Sequence, residues 1–108
     1  MKITRYPAIE AYFASEGHAT VESVEHFFTH DAAVTDEGVT VSGLEAITSW
    51  KHEAEQKYQY TAEPVESLEH DGLVIMKVSL SGKFPGSPAL VRFKFGLTDG
   101  LISTLEIG

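Results

Sequence analysis

Ala89-Leu90-Val91-Arg92-Phe93-Lys94-Phe95-Gly96-Leu97-Thr98 sets Ala89, Val91, Phe93, Phe95 and Leu97 against Leu90, Arg92, Lys94, Gly96 and Thr98 in alternation. Successive side chains of a strand point to opposite faces, so this spacing predicts a strand with one face on a large apolar interior and the other on a mixed surface. Asp99-Gly100 follows it, then Leu101 to Ile107. Before it lie the apolar-rich runs Gln59 to Leu68 and Leu73 to Ser81, separated by Asp71-Gly72 and by the loop Phe84-Pro85-Gly86-Ser87-Pro88. These turn residues predict three successive antiparallel pairings, a four-stranded meander.

Upstream the period changes. Leu44 to Lys57 has helical spacing, with Leu44, Ile47, Trp50, Ala54 and then Tyr58 along one side and Glu45, Ser49, His52 and Gln56 along another. From Ala32 to Val41 the period is two, and Asp36-Glu37-Gly38 supplies turn chemistry for a short hairpin. Before it, Thr4 and Pro7 read as the start of a helix whose stripe is Tyr6, Ile9, Tyr12 and Phe13 and which Gly17 ends. Thr20 caps a second helix with Val21, Val24, Phe27 and Phe28 inward. The fold class that follows is α+β: three N-terminal helices packed on a strongly curved, mainly antiparallel sheet, leaving a cone-shaped hollow. The inward aromatic residues Tyr12, Phe13, Phe27, Trp50, Phe93 and Phe95 are expected to line that hollow. Phe84, at a loop bounded by Pro85 and Pro88, is placed at its mouth, and capping of the sheet edge explains the ring equally well.

The 108 residues fit one domain, 1–108, since a second core would lack the volume. With 43% hydrophobic residues the chain lies outside disordered composition. Sixteen acidic against eight basic side chains give a formal charge of −8, which repels phosphate backbones and anionic lipid surfaces. Nucleic acid is excluded as an expected partner. No cysteine is present, so disulfides and thiolate chemistry are excluded as well. Met1 to Glu16 is broken by Arg5, Pro7 and Glu10 and lacks the apolar run of a signal peptide, and no later stretch is apolar enough to span a membrane. The expected location is the cytoplasm.

The order helix, helix, hairpin, helix, meander, with Phe27-Phe28-Thr29-His30-Asp31-Ala32-Ala33-Val34-Thr35-Asp36-Glu37-Gly38 and Gly43-Leu44-Glu45-Ala46-Ile47-Thr48-Ser49-Trp50, resembles the SnoaL-like branch of the nuclear-transport-factor-two-like superfamily over nearly the whole chain. The resemblance implies a conical α+β barrel, commonly a homodimer through the outer sheet face. It implies activities as broad as isomerases, cyclases, dehydratases, epoxide hydrolases and non-catalytic binders, so fold alone does not name a reaction. Set against the ketosteroid isomerases, the helix-one tyrosine falls on Tyr12 and the aspartate after helix two on Asp36. The neutral carboxylic acid that those isomerases add as a second oxyanion donor falls on Phe93, a departure from their pattern.

Asp36 follows Val34 on one strand face, so an inward Val34 turns this carboxylate inward too, where desolvation raises its pKa toward that of a general base. An aspartate before Glu37-Gly38 is equally an ordinary turn former bonded to local amides. Tyr12 on the apolar stripe of helix one can polarise a substrate carbonyl, or can be a core tyrosine. The histidines His18, His26, His30, His52 and His70 show no clear inward pattern, and His26 with His30 has no third ligand of suitable spacing except Asp31, so no metal and no cofactor are expected. Arg92 alternates outward from Phe93, against an Asp-Arg-Asp relay of the epoxide hydrolase kind.

Two functions stay open on these residues. One is a pocket protein for a small apolar or polyketide-like carbonyl compound, an isomerase or cyclase with Asp36 moving the proton and Tyr12 polarising the carbonyl. The other is a non-catalytic binding or dimeric interaction module. A homodimer is expected in either case, because Leu73, Ile75 and Leu90 share the outer strand faces with Lys77, Ser79 and Arg92.

Overall fold

Pro7 opens the first helix because the N–H that it lacks is one that a first turn does not bond. The computed structural model describes residues 6–15 and 20–108, Tyr58 by its backbone alone. The expected cap at Thr4, the stop at Gly17 and His18 lie outside the described residues. Helix α1 runs Pro7–Ala14 with Tyr6 at the N-cap, and it buries Ala8, Ile9 and Tyr12. Helix α2, Val21–Val24, is a single turn held by a reciprocal cap: Ser23 N donates to Thr20 Oγ1 at 3.1 Å, and Thr20 N donates to Ser23 Oγ at 2.8 Å.

Phe27 and Phe28 do not continue α2, as the helical spacing predicts. Phe27 is the last turn residue and Phe28 the first of strand β1, Phe28–Asp36. The reason lies far along the chain: Ile102 N donates to the Phe27 carbonyl at 2.8 Å, so a sheet partner takes the backbone that a second helical turn would need. Strand β2 is Val39–Ser42, and helix α3 is Leu44–Tyr58, begun by Gly43 at φ 89° and ended by Gln59 in the left-handed region. Strands β3 (Thr61–His70), β4 (Leu73–Ser81), β5 (Ala89–Thr98) and β6 (Leu101–Ile107) form the meander. Its two tight turns and that of the β1–β2 hairpin place both central residues at positive φ: Glu37-Gly38, Asp71-Gly72 and Asp99-Gly100. A turn of that hand matches the right-handed twist of its strands, and glycine at its second position adopts it without strain.

The six strands lie in the order β2-β1-β6-β5-β4-β3, all neighbours antiparallel except β1 with β6, which run parallel. The sheet is curled and unclosed, with the helices against its concave face. Between Gly96 and Leu97 the β5–β6 register shifts, and a Cβ at Gly96 would collide with the Thr104 hydroxyl across the ladder. Glycine therefore lets the two strands stay close at the bend.

Register carries rows of side chains across the concave face. Val34 pairs with Leu105, Leu105 with Phe95, and Phe95 with Val74, all buried. Two residues on, the next row is Asp36, Ile107, Phe93 and Met76. Helix α1 covers the first row: the Tyr12 ring lies edge-on to Phe95 at 5.6 Å and to Phe28 at 6.0 Å between centroids. Each such fully buried side chain contributes about 1.5–3 kcal/mol relative to exposure. Helix α3 buries Ile47, Thr48 and Lys51 rather than centring on Trp50. Lys51, one of the eight basic residues, is 0% exposed, its Nζ 4.0 Å over the Tyr12 ring centroid. That attraction between ammonium and ring face accompanies the burial of its long stem.

Candidate functional site

Asp36 closes β1 at the end of the concave face that α1 leaves uncovered. A strand alternates faces, so a buried Val34 turns Asp36 to the same side, and the turn at Glu37-Gly38 ends the strand there. Its carboxylate is half-buried, and Trp50 Nε1, one helix away on α3, donates to Oδ2 at 3.1 Å. Burial pushes the Asp36 carboxyl above its ordinary 3.8. The Trp50 hydrogen bond opposes this, the neighbouring Glu37 charge adds to it, and a backbone bond at Glu37 and the Lys57 charge also oppose it.

Beside this pair opens a pocket of about 530 Å³. Its walls come from seven parts of the chain. Asp36 ends β1 and Glu37 follows it in the turn, Trp50 and Ala54 are one flank of α3, and Val91 and Phe93 the concave face of β5. Ile107 and Gly108 follow from the end of β6, Leu80 from β4, Tyr60 from the link between α3 and β3, and Phe84 with Pro85 from the loop after β4. The lining is mostly apolar, with two carboxylates, and among the described residues no Lys, Arg or His lines it. Such a cleft, apolar with a few convergent polar groups, is the ordinary form of a small-molecule site.

The structure brings Asp36, Trp50, Phe84 and Phe93 together in that wall. It does not bring the other expected residues there. Tyr12 is 0% exposed and packed among Phe13, Phe27, Phe28, Phe93 and Phe95 with ring centroids 5.1–6.2 Å away. The expectation sets its hydroxyl in the hollow; in the structure the Tyr12 ring lies among these phenylalanines, Phe93 of the Asp36 row included, and Tyr12 is not among the residues that line this pocket. Phe13, Phe27 and Phe95 belong to the same aromatic core and not to the pocket wall. Among the described residues no group of three or more His, Asp or Glu is placed to hold a metal ion. His30 is exposed and 3.9 Å from Glu25, and His70 is exposed and 3.2 Å from Asp71.

Among the lining residues that escaped the sequence reading are two polar ones, Glu37 and Tyr60. Glu37 was read as a turn residue alone, yet it follows Asp36 into the wall. Tyr60 falls in the run read as the strand Gln59 to Leu68 but precedes the strand that forms, Thr61–His70, and follows the left-handed Gln59 that ends α3. Among the described lining residues it carries the only hydroxyl.

No family model and no protein of curated function matches the sequence. Solved structures do. A candidate polyketide cyclase from Sinorhizobium meliloti is 33% identical and superposes with a TM-score of 0.86 over 94% of each chain. A protein with a ketosteroid isomerase-like fold from Catenulispora acidiphila, solved in complex with trimethylamine, is 16% identical with a TM-score of 0.78, covering 97% of this chain and 86% of that one. An uncharacterised cystatin-fold protein from Novosphingobium aromaticivorans is 20% identical with a TM-score of 0.73 over 99% of both. The last two share the fold alone. Among the described residues no helix is long and apolar enough to cross a membrane.

Proposed function

The chain belongs to the SnoaL-like branch of the nuclear-transport-factor-two-like superfamily, and from this we propose that its pocket binds a small, largely apolar carbonyl compound of polyketide-like kind and moves a proton α to that carbonyl, as an isomerase or cyclase does. The observation that carries the reading is the Asp36 carboxylate, half-desolvated in the wall of an apolar pocket and steered by the Trp50 N–H. Desolvation brings a carboxylate closer to the basicity that proton abstraction needs, and a fixed donor on one oxygen leaves the other for the substrate. Phe93 stands where the isomerases place a neutral carboxylic acid, so polarising the carbonyl falls to another group. We assign that role to Tyr60, which lines the same pocket, in place of Tyr12.

The test is α-proton exchange. Incubated in heavy water with a panel of aromatic and alicyclic ketones, the protein is expected to catalyse deuterium incorporation read by proton NMR. Asp36→Asn should lose that exchange while still binding the ketone. Equal exchange by both proteins would remove Asp36 from the chemistry, and no exchange by either would leave a non-catalytic binding module.

A further inference from the structure

Among the described residues that line the pocket only Phe93 is buried, at 2% exposure, and it belongs to the aromatic core as well as to the pocket wall. Three rings back it: Phe13 at 5.7 Å, and Tyr12 and Phe95 each at 6.2 Å between centroids. A ring so enclosed yields to a ligand only if its neighbours move too. On the concave face Phe93 also shares one row with Asp36, since Asp36 pairs with Ile107 on β6 and Ile107 with Phe93 on β5. Neighbouring strands lie about 4.8 Å apart, which sets the Asp36 and Phe93 backbones about 10 Å from each other across Ile107, with room for about one ring between carboxylate and phenyl.

A carbon that gives up its proton must come within about 3–3.5 Å of the accepting oxygen. Asp36 has little freedom to reach for it, because it ends a paired strand and Trp50 holds one of its oxygens. The wall opposite must bring the ligand to the base, and Phe93 is that wall. We infer that Phe93 determines specificity at this site: it admits an unfused ring at the reacting end of the ligand, holds the α-carbon of that ring against Asp36 and turns away a ring made wider by substituents. The apolar remainder of the ligand extends past Val91 toward Leu80 and Phe84. The inference rests on the proton transfer proposed above, and it gives Phe93 a use of its own at the position where the isomerases carry an acid.

The probes are cyclohexanone and 3,3,5,5-tetramethylcyclohexanone, which carry the same α-methylene groups and differ in the girth of the ring. Deuterium incorporation at saturating ketone is followed for the wild type, Phe93→Leu and Phe93→Ala, with thermal melts to show that each is folded. The wild type should exchange cyclohexanone well and its tetramethyl derivative poorly. Phe93→Ala should lose about tenfold on cyclohexanone, which no longer rests against the base, and gain on the wider ring, with Phe93→Leu between the two. A ring that merely held the fold together would not produce such a crossing of preference. Equal exchange of both ketones by the wild type, an unchanged size order in Phe93→Leu, or one common fall for both ketones overturns the role of Phe93 and leaves Asp36 its chemistry. A wild type that exchanges no ketone removes the proton transfer, and this inference with it.

Discussion

The Trp50 indole nitrogen lies 3.1 Å from Asp36 Oδ2, tying the middle of α3 to the last residue of β1. This one bond joins a helix to the strand end at which the pocket opens, and it sets how Asp36 holds its proton. A donor to the ionised form stabilises that form, so the bond acts against the effect of burial.

Trp50→Phe keeps an aromatic ring in the wall and removes the donor. The Asp36 carboxyl should then titrate at higher pH than in the wild type, followed by the chemical shift of its carboxyl carbon. An unchanged titration would mean that the bond does not persist in solution.

A carboxyl whose folded pKa exceeds its unfolded value binds its proton more tightly when folded. The stability it confers is full below the ordinary 3.8 and is lost as pH rises through the raised folded value. Asp36→Asn lacks that loss. The stability of the variant relative to wild type should therefore climb with pH across this window and level off on both sides, measured from denaturant midpoints at a series of pH values. A flat difference contradicts a raised Asp36.

Tyr12 is packed among five phenylalanine rings and beneath Lys51. Truncation by Tyr12→Ala should cost about 3–5 kcal/mol of stability through the cavity it leaves. Tyr12→Phe keeps the ring and should leave α-proton exchange at the wild-type rate. Loss of exchange in a fully stable Tyr12→Phe protein would return this hydroxyl to the chemistry.

Gly96 lets β5 and β6 stay close where their register shifts. Gly96→Val should cost about 1–3 kcal/mol by overpacking, and Gly96→Ala less, because the Thr104 hydroxyl can rotate away. Thermal melts of Gly96→Ala in a Thr104→Ala background should show that smaller cost shrink further. No change between backgrounds would place the strain elsewhere.

On the convex side Leu68 and Leu90 are 50% and 66% exposed, and register sets them on the same face as Ile75. We propose that two copies associate through this face. Sedimentation should give a dimer at micromolar concentration and a folded monomer for Leu90→Asp. A wild-type monomer under those conditions would remove the homodimer.

Much of this architecture is local. Alternation from Ala89 to Thr98 gives a strand with those same ends, and the run from Leu44 gives α3 to within a residue. The positive φ at Gly72 and Gly100 is what Asp-Gly pairs between apolar runs adopt, since glycine enters that region without a Cβ clash. The inward turn of Asp36 was legible for the same reason, from the period of two that links it to Val34. Lys51 was not, because a side chain's charge predicts solvent, and here the Tyr12 ring face and the apolar stem favour the interior.

Long-range contact settled the remainder. The parallel pairing of β6 with β1 brings Ile107 between Asp36 and Phe93, ends α2 at Val24 and aligns the row at which the pocket opens. It depends on residues some seventy positions apart, which no periodicity encodes. Which tyrosine meets the pocket was decided in the same way: packing buries Tyr12 among phenylalanine rings, while the chain leaving α3 carries Tyr60 into the wall. Spacing along the chain states which face a residue belongs to, and the packing of distant elements states what that face then meets.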